Sequence, residues 1–330
     1  MKNINFVRTN FFPKKNIKIS NKDLLNIIPQ DLLVDFKINN EFIINEVSSI
    51  EKIYKESILF ISNHIDFKNL ENIQIITDNI NLIKINQYPN VILVKNINLI
   101  YNLIINSIYF HEDDANYQEK FIKNNNNYFI SEYAKIGKNV KIGANSIICR
   151  GVQIGDNVII KNNVTIKNVI IGNNVNIGDN SVIGGTGFGF DLSAFGANNL
   201  KPHIGIVYLE DNVRIGSCCN IDRARIHITY IGLNTMLDSN IHIGHNVYIG
   251  NNCCFAAQSG IAGSTTINDN VIVGGQVGIA GHINIGNNVK IAAKSGVTKN
   301  IHSNSTIAGF PAIDIKEWKK NIIRKKKNGH

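Results

Sequence analysis

Residues 243–261 read Ile-Gly-His-Asn-Val-Tyr-Ile-Gly-Asn-Asn-Cys-Cys-Phe-Ala-Ala-Gln-Ser-Gly-Ile, and an apolar residue returns at every sixth position. The same period runs through much of the second half of the chain, at Ile231, Leu237, Ile243, Ile249, Phe255, Ile261, Ile267, Val273, Ile279, Ile285, Ile291 and Val297. A helix would show a period of about 3.6 residues and an isolated strand a period of about 2. A six-residue period is typical of a parallel β-helix, in which each hexad forms one short strand and a turn.

The repeat region is long and is interrupted in two places. The six-residue period also holds over 136–166 and, after a one-residue deletion, over 171–183. It is lost between 183 and 209 and again between 221 and 231. We therefore predict a mainly β protein with a β-helix domain over 123–308. Segments that leave a regular solenoid commonly carry binding residues, so both interruptions are candidate binding loops.

The two ends of the chain lack the hexad period. In residues 1–122, the apolar runs 58–61 and 91–94 predict buried strands, and 99–108 predicts a helix. These elements indicate a small α/β domain. Residues 309–330 predict a short C-terminal helix that ends in a basic run.

Composition restricts the classes of function. The chain has 330 residues, 44% of them hydrophobic, and no apolar run approaches the roughly 18 residues of a membrane span, so we expect no stable membrane insertion. The five cysteines include two adjacent pairs, which suit neither a disulfide framework nor a zinc motif, and we expect a cytoplasmic protein. The net charge of +9 favours an anionic substrate or an acidic partner. No zinc-finger spacing or aromatic–basic stripe indicates nucleic acid.

His245 is the main candidate for a catalytic base. It lies two positions after the inward-pointing Ile243, so it should occupy a corner of the solenoid. Histidine is the usual general base near neutral pH. Asp238, seven residues earlier, is a candidate acceptor for the imidazole Nδ1–H. The alternatives are a solvated surface histidine at position 245 and His242 as the base.

Spacing places two further residues beside His245. Gly263 follows it by 18 residues and His282 by 37, so in a solenoid with 18 residues per coil both would lie on the same edge. The N–H of Gly263 would then be available to an oxyanion. A base, its partner and an oxyanion donor on one edge indicate acyl transfer. Zinc held by histidines is the alternative, but only two histidines share the edge, so we expect no metal.

Two further segments are candidates for substrate binding. The glycine-rich segment 184–190 is either a loop that closes over a sugar or an acyl chain, or an ordinary insertion. Phe60, Asn63 and Phe67 could stack on and hydrogen-bond a planar base, although such a segment is more often a strand end with core aromatics.

These motifs together resemble the UDP-3-O-acylglucosamine N-acyltransferase family. The resemblance rests on the histidine segment, the two glycine segments that follow it, the Gly-Phe-Gly-Phe loop and several N-terminal residues. The matching positions are 238–250, 260–264, 278–282, 187–190, 221–223, 309–311, Trp318, 47–49, Phe60, Asn63, 94–96 and Tyr101.

The resemblance implies a left-handed parallel β-helix and a homotrimer with sites between neighbouring subunits. It implies transfer of a 3-hydroxyacyl group from acyl carrier protein to the 2-amino group of UDP-3-O-(3-hydroxyacyl)glucosamine, in lipid A biosynthesis. The enzyme itself would need no cofactor, because the 4′-phosphopantetheine belongs to the carrier protein.

Roles follow by position from the same resemblance. His245 would be the general base, Asp238 its partner, Gly263 the oxyanion donor and His282 an assisting residue. Phe60 and Asn63 would hold the uracil.

The remaining assignments concern substrate and carrier protein. Phe67 would stack on the uracil because Asp66 stands where the family usually has Tyr, and the loop residues Gly187, Phe188 and Gly189 would bind substrate. The small residues Ser295 and Gly296 suggest room for a longer acyl chain. Four basic residues would dock the carrier protein: Lys299, Lys319, Lys320 and Arg324.

Two rival classes of function stay open. A sister sugar O-acyltransferase, or an N-acetyltransferase that uses coenzyme A, would share the hexads, but simple sugar O-acyltransferases begin directly with the repeat. A non-catalytic solenoid that binds a sugar nucleotide would share the fold, but it has no need of a base beside an oxyanion donor.

Overall fold

The structure is a computed structural model that describes residues 6–15, 18–65, 72–84, 88–110, 117, 119–190, 201–309, 316 and 320. Its described part contains a mixed β-sheet near the N-terminus and a long solenoid built from three sheets. The predicted C-terminal helix lies almost entirely outside the described residues, as do Phe67, Lys319 and Arg324.

The described N-terminal residues form an α/β unit. Its helices are α1 (Arg8–Phe11), α2 (Leu24–Ile27), α3 (Ile80–Ile83) and α4 (Ile97–Ile108). Its strands are β1 (Leu33–Ile38), β2 (Glu46–Ser48), β3 (Ser57–Phe60), β4 (Ile73–Thr77) and β5 (Asn90–Val94). The sheet order is β1-β5-β4-β3-β2, and only β1 is antiparallel to its neighbour. The two predicted strands correspond to β3 and β5, and the predicted helix corresponds to α4.

The solenoid has three faces, numbered here in the order in which the chain visits them. The first face contains β7 (Phe129–Ser131), β10 (Ile147–Ile148), β13 (Thr165–Ile166), β16 (Val182–Gly185), β19 (Asn220–Asp222), β22 (His242–Ile243), β25 (Gly260–Ile261), β28 (Gly278–Ile279) and β31 (Gly296–Val297). The antiparallel strand β6 (Phe121–Lys123) pairs with β7 at its end.

The other two faces consist of equally short strands. The second face contains β8 (Lys135–Ile136), β11 (Gln153–Ile154), β14 (Val169–Ile171), β17 (Ile206–Leu209), β20 (Ile228–Ile231), β23 (Tyr248–Ile249), β26 (Thr266–Ile267) and β29 (Asn284–Ile285). The third face contains β9 (Lys141–Ile142), β12 (Ile159–Ile160), β15 (Asn176–Ile177), β18 (Arg214–Ile215), β21 (Met236–Leu237), β24 (Cys254–Phe255), β27 (Ile272–Val273), β30 (Lys290–Ile291) and β32 (Thr306–Ile307).

The apolar residues of the six-residue period form ladders inside the solenoid. On the first face, Ile243 pairs with Ile261, Ile261 with Ile279, and Ile279 with Val297, all in parallel register. Each of these side chains is at most 3% exposed. Complete burial of one such side chain contributes about 1.5–3 kcal/mol, so repetition of the ladder stabilises every coil in the same way. The parallel β-helix predicted from the sequence is confirmed.

Between faces the chain turns through corners of three residues, named here by the faces that they join. The 2–3 corner includes 250–252, and the 1–2 corner includes 244–246. Many corners contain a residue with positive φ, and at the 2–3 corner this residue is always asparagine: Asn139, Asn157, Asn174, Asn212, Asn234, Asn252, Asn270, Asn288 and Asn304. Asparagine tolerates this left-handed conformation better than most residues, which explains why the hexads are rich in it.

Helix α4 lies between the N-terminal sheet and the second face of the solenoid. Its apolar residues share one buried cluster with residues of the sheet and with solenoid residues such as Ile206 and Tyr230. Buried Arg8 adds polar contacts across the same boundary: its guanidinium binds the Glu46 carboxylate at 2.6 Å and the carbonyl oxygens of Ile204 and Ile226 at 2.6 and 2.7 Å. The α/β unit is therefore packed against the solenoid beside both interruptions of the repeat.

Candidate functional site

The 1–2 corner brings His245, Gly263 and His282 onto one edge of the solenoid. The amide of Ser264 donates to the carbonyl of His245 at 2.9 Å, and the amide of His282 donates to the carbonyl of Gly263 at 3.2 Å. Each of these hydrogen bonds joins one coil to the next. His282 occupies the left-handed position of its corner, with φ of 61°, because its spacing from His245 is two coils plus one residue.

Asp238 lies elsewhere, and the prediction that it shares the edge of His245 is wrong within one chain. It directly follows β21 and therefore lies at the 3–1 corner, where its Oδ1 accepts a hydrogen bond from the amide of Ser239 at 2.7 Å. Adjacent hexads lie on adjacent faces. A separation of seven residues therefore moves a side chain to the next corner, and only multiples of about three hexads return to the same edge.

Asn246 is the side-chain hydrogen-bond partner of the His245 ring. Its Nδ1 lies 3.1 Å from Oδ1 of Asn246, and that oxygen also accepts the backbone N–H of Arg225 at 2.9 Å. The tautomer with the hydrogen on Nδ1 satisfies this oxygen and leaves the lone pair on Nε2. Burial lowers the pKa of His245, and the charges of His282 and Arg225 lower it further against the opposing hydrogen bonds to Asn246 and to the backbone of Phe188. The ring is therefore neutral near pH 7, the state in which Nε2 can accept a proton.

Gly263 lies directly against that nitrogen. A Cβ atom at position 263 would lie 2.7 Å from His245 Nε2, so any side chain there would displace the imidazole. Within the described part of the chain, the Gly263 amide has no hydrogen-bond acceptor. One coil further on stands Gly281, which has no side chain that could accept it. A free N–H donor thus lies next to the lone pair of a neutral base.

The glycine-rich loop and a second histidine cover the other side of His245. A Cβ atom on Gly187 would lie 2.6 Å from Cβ of His245 and 2.9 Å from Nε2 of His203. The His203 and His245 rings meet edge to face, with their centroids 5.2 Å apart. Nδ1 of His203 lies 2.8 Å from the carbonyl of Lys201, while its buried Nε2 has no partner among the described residues. Burial, with a smaller effect of His245, lowers the pKa of His203 to about 3, so this ring stays neutral.

A cavity of about 530 Å³ extends from this histidine pair to the N-terminal unit. Its lining includes Ser48, Ser49, Ile50, Glu51, Phe60, Phe188, Gly189, Lys201, His203, Arg225, Ile226, His245, Asn246, Ser264 and His282. Phe188 is 77% exposed at its mouth. Of the residues predicted to hold a planar base, Phe60 lines the cavity and packs edge to face on Tyr101 at 5.1 Å. Asn63 is exposed in the loop after β3 and is not part of the lining.

Sequence reasoning missed three residues of this region. His203 lies within the first interruption of the repeat and Arg225 within the second, so the loss of the six-residue period was the available signal. Arg8 gave no signal, because its contacts to the carbonyls next to His203 and Arg225 exist only after the chain has folded.

His242, the competing candidate for the base, has a carboxylate partner, although this is Asp222 and not the Asp238 that was expected to pair with His245. Its Nε2 lies 3.5 Å from Oδ2 of Asp222, and burial raises the pKa of Asp222 to about 6 against the opposing charge of His242. This pair lies on the outer side of the first face. Beside His242, an apolar groove of about 420 Å³ runs along Gly260, Gly278 and Gly296.

The other predicted contacts lie at the surface. Lys299 and Lys320 are exposed, and they remain candidates for carrier-protein docking. Within the described ranges, no group of three or more metal-ligating side chains comes together. Nor does any helix in those ranges have the length and apolar character that a membrane crossing requires.

Comparison with known proteins supports the resemblance found in the sequence. Residues 133–168 and 228–263 match the family model described as bacterial transferase hexapeptide (six repeats). The UDP-3-O-acylglucosamine N-acyltransferase of Hydrogenovibrio crunogenus is 54% identical over 145 residues, which cover 44% of this chain and 42% of that protein. The protein of the same name from Desulfotalea psychrophila is 42% identical over 142 residues, which cover 43% of this chain and 41% of that protein. The matches thus confirm the resemblance and span less than half the length of these relatives.

A solved structure shows a similar partial overlap. The UDP-N-acetylglucosamine acyltransferase from Campylobacter jejuni aligns with 59% of this chain and 80% of that chain, at 22% sequence identity and a TM-score of 0.49.

Proposed function

We propose that this protein is an N-acyltransferase that moves a 3-hydroxyacyl chain from acyl carrier protein to the 2-amino group of UDP-3-O-(3-hydroxyacyl)glucosamine. One observation carries the proposal: the lone pair on Nε2 of His245 lies against Gly263, whose N–H is free within the described structure. A base and an oxyanion donor at one point are what acyl transfer to an amine requires. The names of the related proteins supply the substrate class.

The reaction would be direct, with no acyl-enzyme intermediate. The amine nitrogen attacks the thioester carbonyl carbon, and its proton passes to Nε2 of His245 as the C–N bond forms. The Gly263 N–H stabilises the oxyanion that develops. The C–S bond then breaks, and the departing thiolate of the carrier's phosphopantetheine takes the proton from His245. Asn246 holds the ring in the tautomer that this step needs.

The surroundings suit the two substrates. The cavity between Phe60 and His245 would hold the sugar nucleotide, and the groove beside His242 would hold an acyl chain. The groove reaches Gly296, in keeping with the expected room for a longer chain. Lys299 and Lys320 would contact the acidic carrier protein. A homotrimer, which the resemblance implies, would place a neighbouring subunit beside these surfaces, and sedimentation analysis tests that assembly.

The proposal is tested by a direct assay of the product. The purified protein is incubated with UDP-3-O-(3-hydroxyacyl)glucosamine and 3-hydroxyacyl carrier protein, and mass spectrometry follows the sugar nucleotide. We expect one additional 3-hydroxyacyl group, attached to nitrogen. A folded protein that forms no such product at saturating substrate contradicts the proposal, and it favours a non-catalytic binding solenoid if the nucleotide still binds.

Three controls separate this reaction from acetyl transfer, from zinc chemistry and from catalysis by His242. Acetyl coenzyme A replaces the carrier protein in a parallel assay, and a preference for it would favour the sister acetyltransferases. Metal analysis of the purified, active protein tests for zinc. Separate His245→Ala and His242→Ala variants decide which histidine is the base, because only loss of the true base should remove the chemical step.

A further inference from the structure

Arg225 stands between the two ends of the candidate substrate cavity. Its guanidinium carbon lies 3.8 Å from the centroid of the Tyr101 ring, and Tyr101 in turn packs against Phe60. Its backbone N–H donates to Asn246, which also contacts the ring of His245. Contacts therefore lead from the residue proposed for the uracil, through Arg225, to the proposed base.

This order matches the order of groups in a sugar nucleotide. A nucleoside diphosphate sugar has its base at one end, two phosphates in the middle and the sugar at the other end. With the uracil at Phe60 and the amino sugar at His245, the phosphates would lie beside Arg225. Guanidinium groups are well suited to phosphate because they offer several N–H donors in one plane.

The charge of the cavity agrees with an anionic ligand. Lys201 and Arg225 are cationic, whereas Glu51 is the one carboxylate in the described lining. Stacking on Tyr101, which is fully buried, holds the guanidinium plane in place before a ligand arrives. The Tyr101 hydroxyl is itself fixed by the carbonyl of Pro202 at 2.8 Å.

We propose that Arg225 binds the diphosphate of the sugar nucleotide and so sets the distance between the uracil and the reacting amine. The inference rests on the proposed function for the orientation of the substrate. Arg225 lies in the second interruption of the repeat, so this phosphate contact comes from a segment outside the hexads.

The test compares ligands with and without phosphates. Binding of UDP and of uridine to the full-length protein is measured by calorimetry for the wild type and for Arg225→Gln, Arg225→Lys and Arg214→Gln. Arg214 is exposed on the third face, away from the cavity. Arg214→Gln therefore removes the same charge as Arg225→Gln at a different place. We expect Arg225→Gln to weaken UDP binding by about tenfold to a hundredfold and to leave uridine binding unchanged. Arg225→Lys should retain part of the affinity, and Arg214→Gln all of it.

Other results would overturn the inference. If Arg225→Gln weakens the binding of UDP and of uridine equally, Arg225 serves only to hold Tyr101 in position. Thermal denaturation should then show a matching loss of stability. If UDP binding is unaffected by Arg225→Gln, or if the wild type does not bind UDP, the inference also fails. The proposed function is judged separately: UDP binding that depends on Arg225, without acyl transfer, would retain the inference and reject the function.

Discussion

The 2–3 corner and the 1–2 corner of the solenoid have the same type of turn, but they differ in whether side chains accept their backbone amides. At the 2–3 corner, side chains from one coil accept the amides of the coil before it: Asn251 Oδ1 accepts from Leu233 at 3.0 Å, and Asp269 Oδ1 accepts from Asn251 at 2.7 Å. At the 1–2 corner the corresponding residues are His245, Gly263 and Gly281, and the amide of Gly263 has no acceptor in the described structure.

A second ladder reinforces the contrast. The asparagines at the left-handed positions of the 2–3 corner join their side-chain amides from coil to coil, as from Asn234 to Asn252 at 3.0 Å and from Asn252 to Asn270 at 3.3 Å. At the 1–2 corner the same positions are Asn246, Ser264 and His282. Where glycine or histidine stands in place of an acceptor side chain, a backbone amide lacks its hydrogen-bond acceptor and an imidazole is available as a base.

The largest test of this comparison removes the base. We expect His245→Ala to lower kcat by about 10²–10⁴-fold, because the amine would lose its proton acceptor. The fold should be retained, because the apolar ladder inside the solenoid is unchanged. Steady-state kinetics and thermal denaturation measure the two effects. A variant that keeps more than about a tenth of the wild-type activity would show that another residue is the base.

The second test gives the 1–2 corner the acceptor that it lacks. In Gly281→Asn, the new amide oxygen should accept the N–H of Gly263, as Asp269 does for Asn251 at the other corner. Loss of one oxyanion donor costs about 10²–10³-fold in kcat, so we expect an effect of that order.

Gly281→Ala is the control for this change. It adds a Cβ atom 2.9 Å from the carbonyl oxygen of Gly263, so it requires the same local backbone shift as Gly281→Asn, but it provides no acceptor. We expect it to retain clearly more activity than Gly281→Asn, because only the asparagine occupies the Gly263 amide. Equal losses in the two variants would mean that space, rather than the free amide, matters at this corner.

The third test concerns the charge environment of His245, which has no counterpart at the 2–3 corner. The base works when neutral, and burial and the charges of His282 and Arg225 lower its pKa. Activity should therefore persist below pH 6.5 and fall only as the pH drops through the lowered pKa. In Arg225→Gln one cause of the lowering is absent, so the acid limb of kcat/KM should move to higher pH. Arg214→Gln should leave the limb in place, and a shift of the same size there would contradict this account.

The smallest effect is expected at the 2–3 corner itself. Asn251→Ala removes the acceptor of the Leu233 amide, and it should cost about 1 kcal/mol of unfolding free energy. Its turnover should match that of the wild type, because the corner faces away from the proposed site. Chemical denaturation and the acyl-transfer assay measure the two quantities. A marked loss of activity in a folded Asn251→Ala protein would show that the two corners are not independent.

The sequence determined the solenoid because its signal is repeated and local. Each apolar residue such as Ile243 is six positions from the next, and each asparagine such as Asn252 marks a turn with positive φ. The spacing of His245, Gly263 and His282 gave their common edge for the same reason, since coil number follows from residue number. The predicted contact between Asp238 and His245 was wrong because residues about one hexad apart lie on adjacent corners of the solenoid. Their spacing along the chain therefore does not bring their side chains together.

Only the tertiary structure decided what surrounds that edge. His203, Arg225 and the loop at Gly187 reach His245 from segments outside the repeat. Arg8 holds two of those segments from 196 and 218 positions away. A periodic signal records where a residue lies along the coil, because every coil repeats the same backbone hydrogen bonds. Contacts made by non-repeating segments depend on how the α/β unit packs against the second face, and no local pattern encodes that packing.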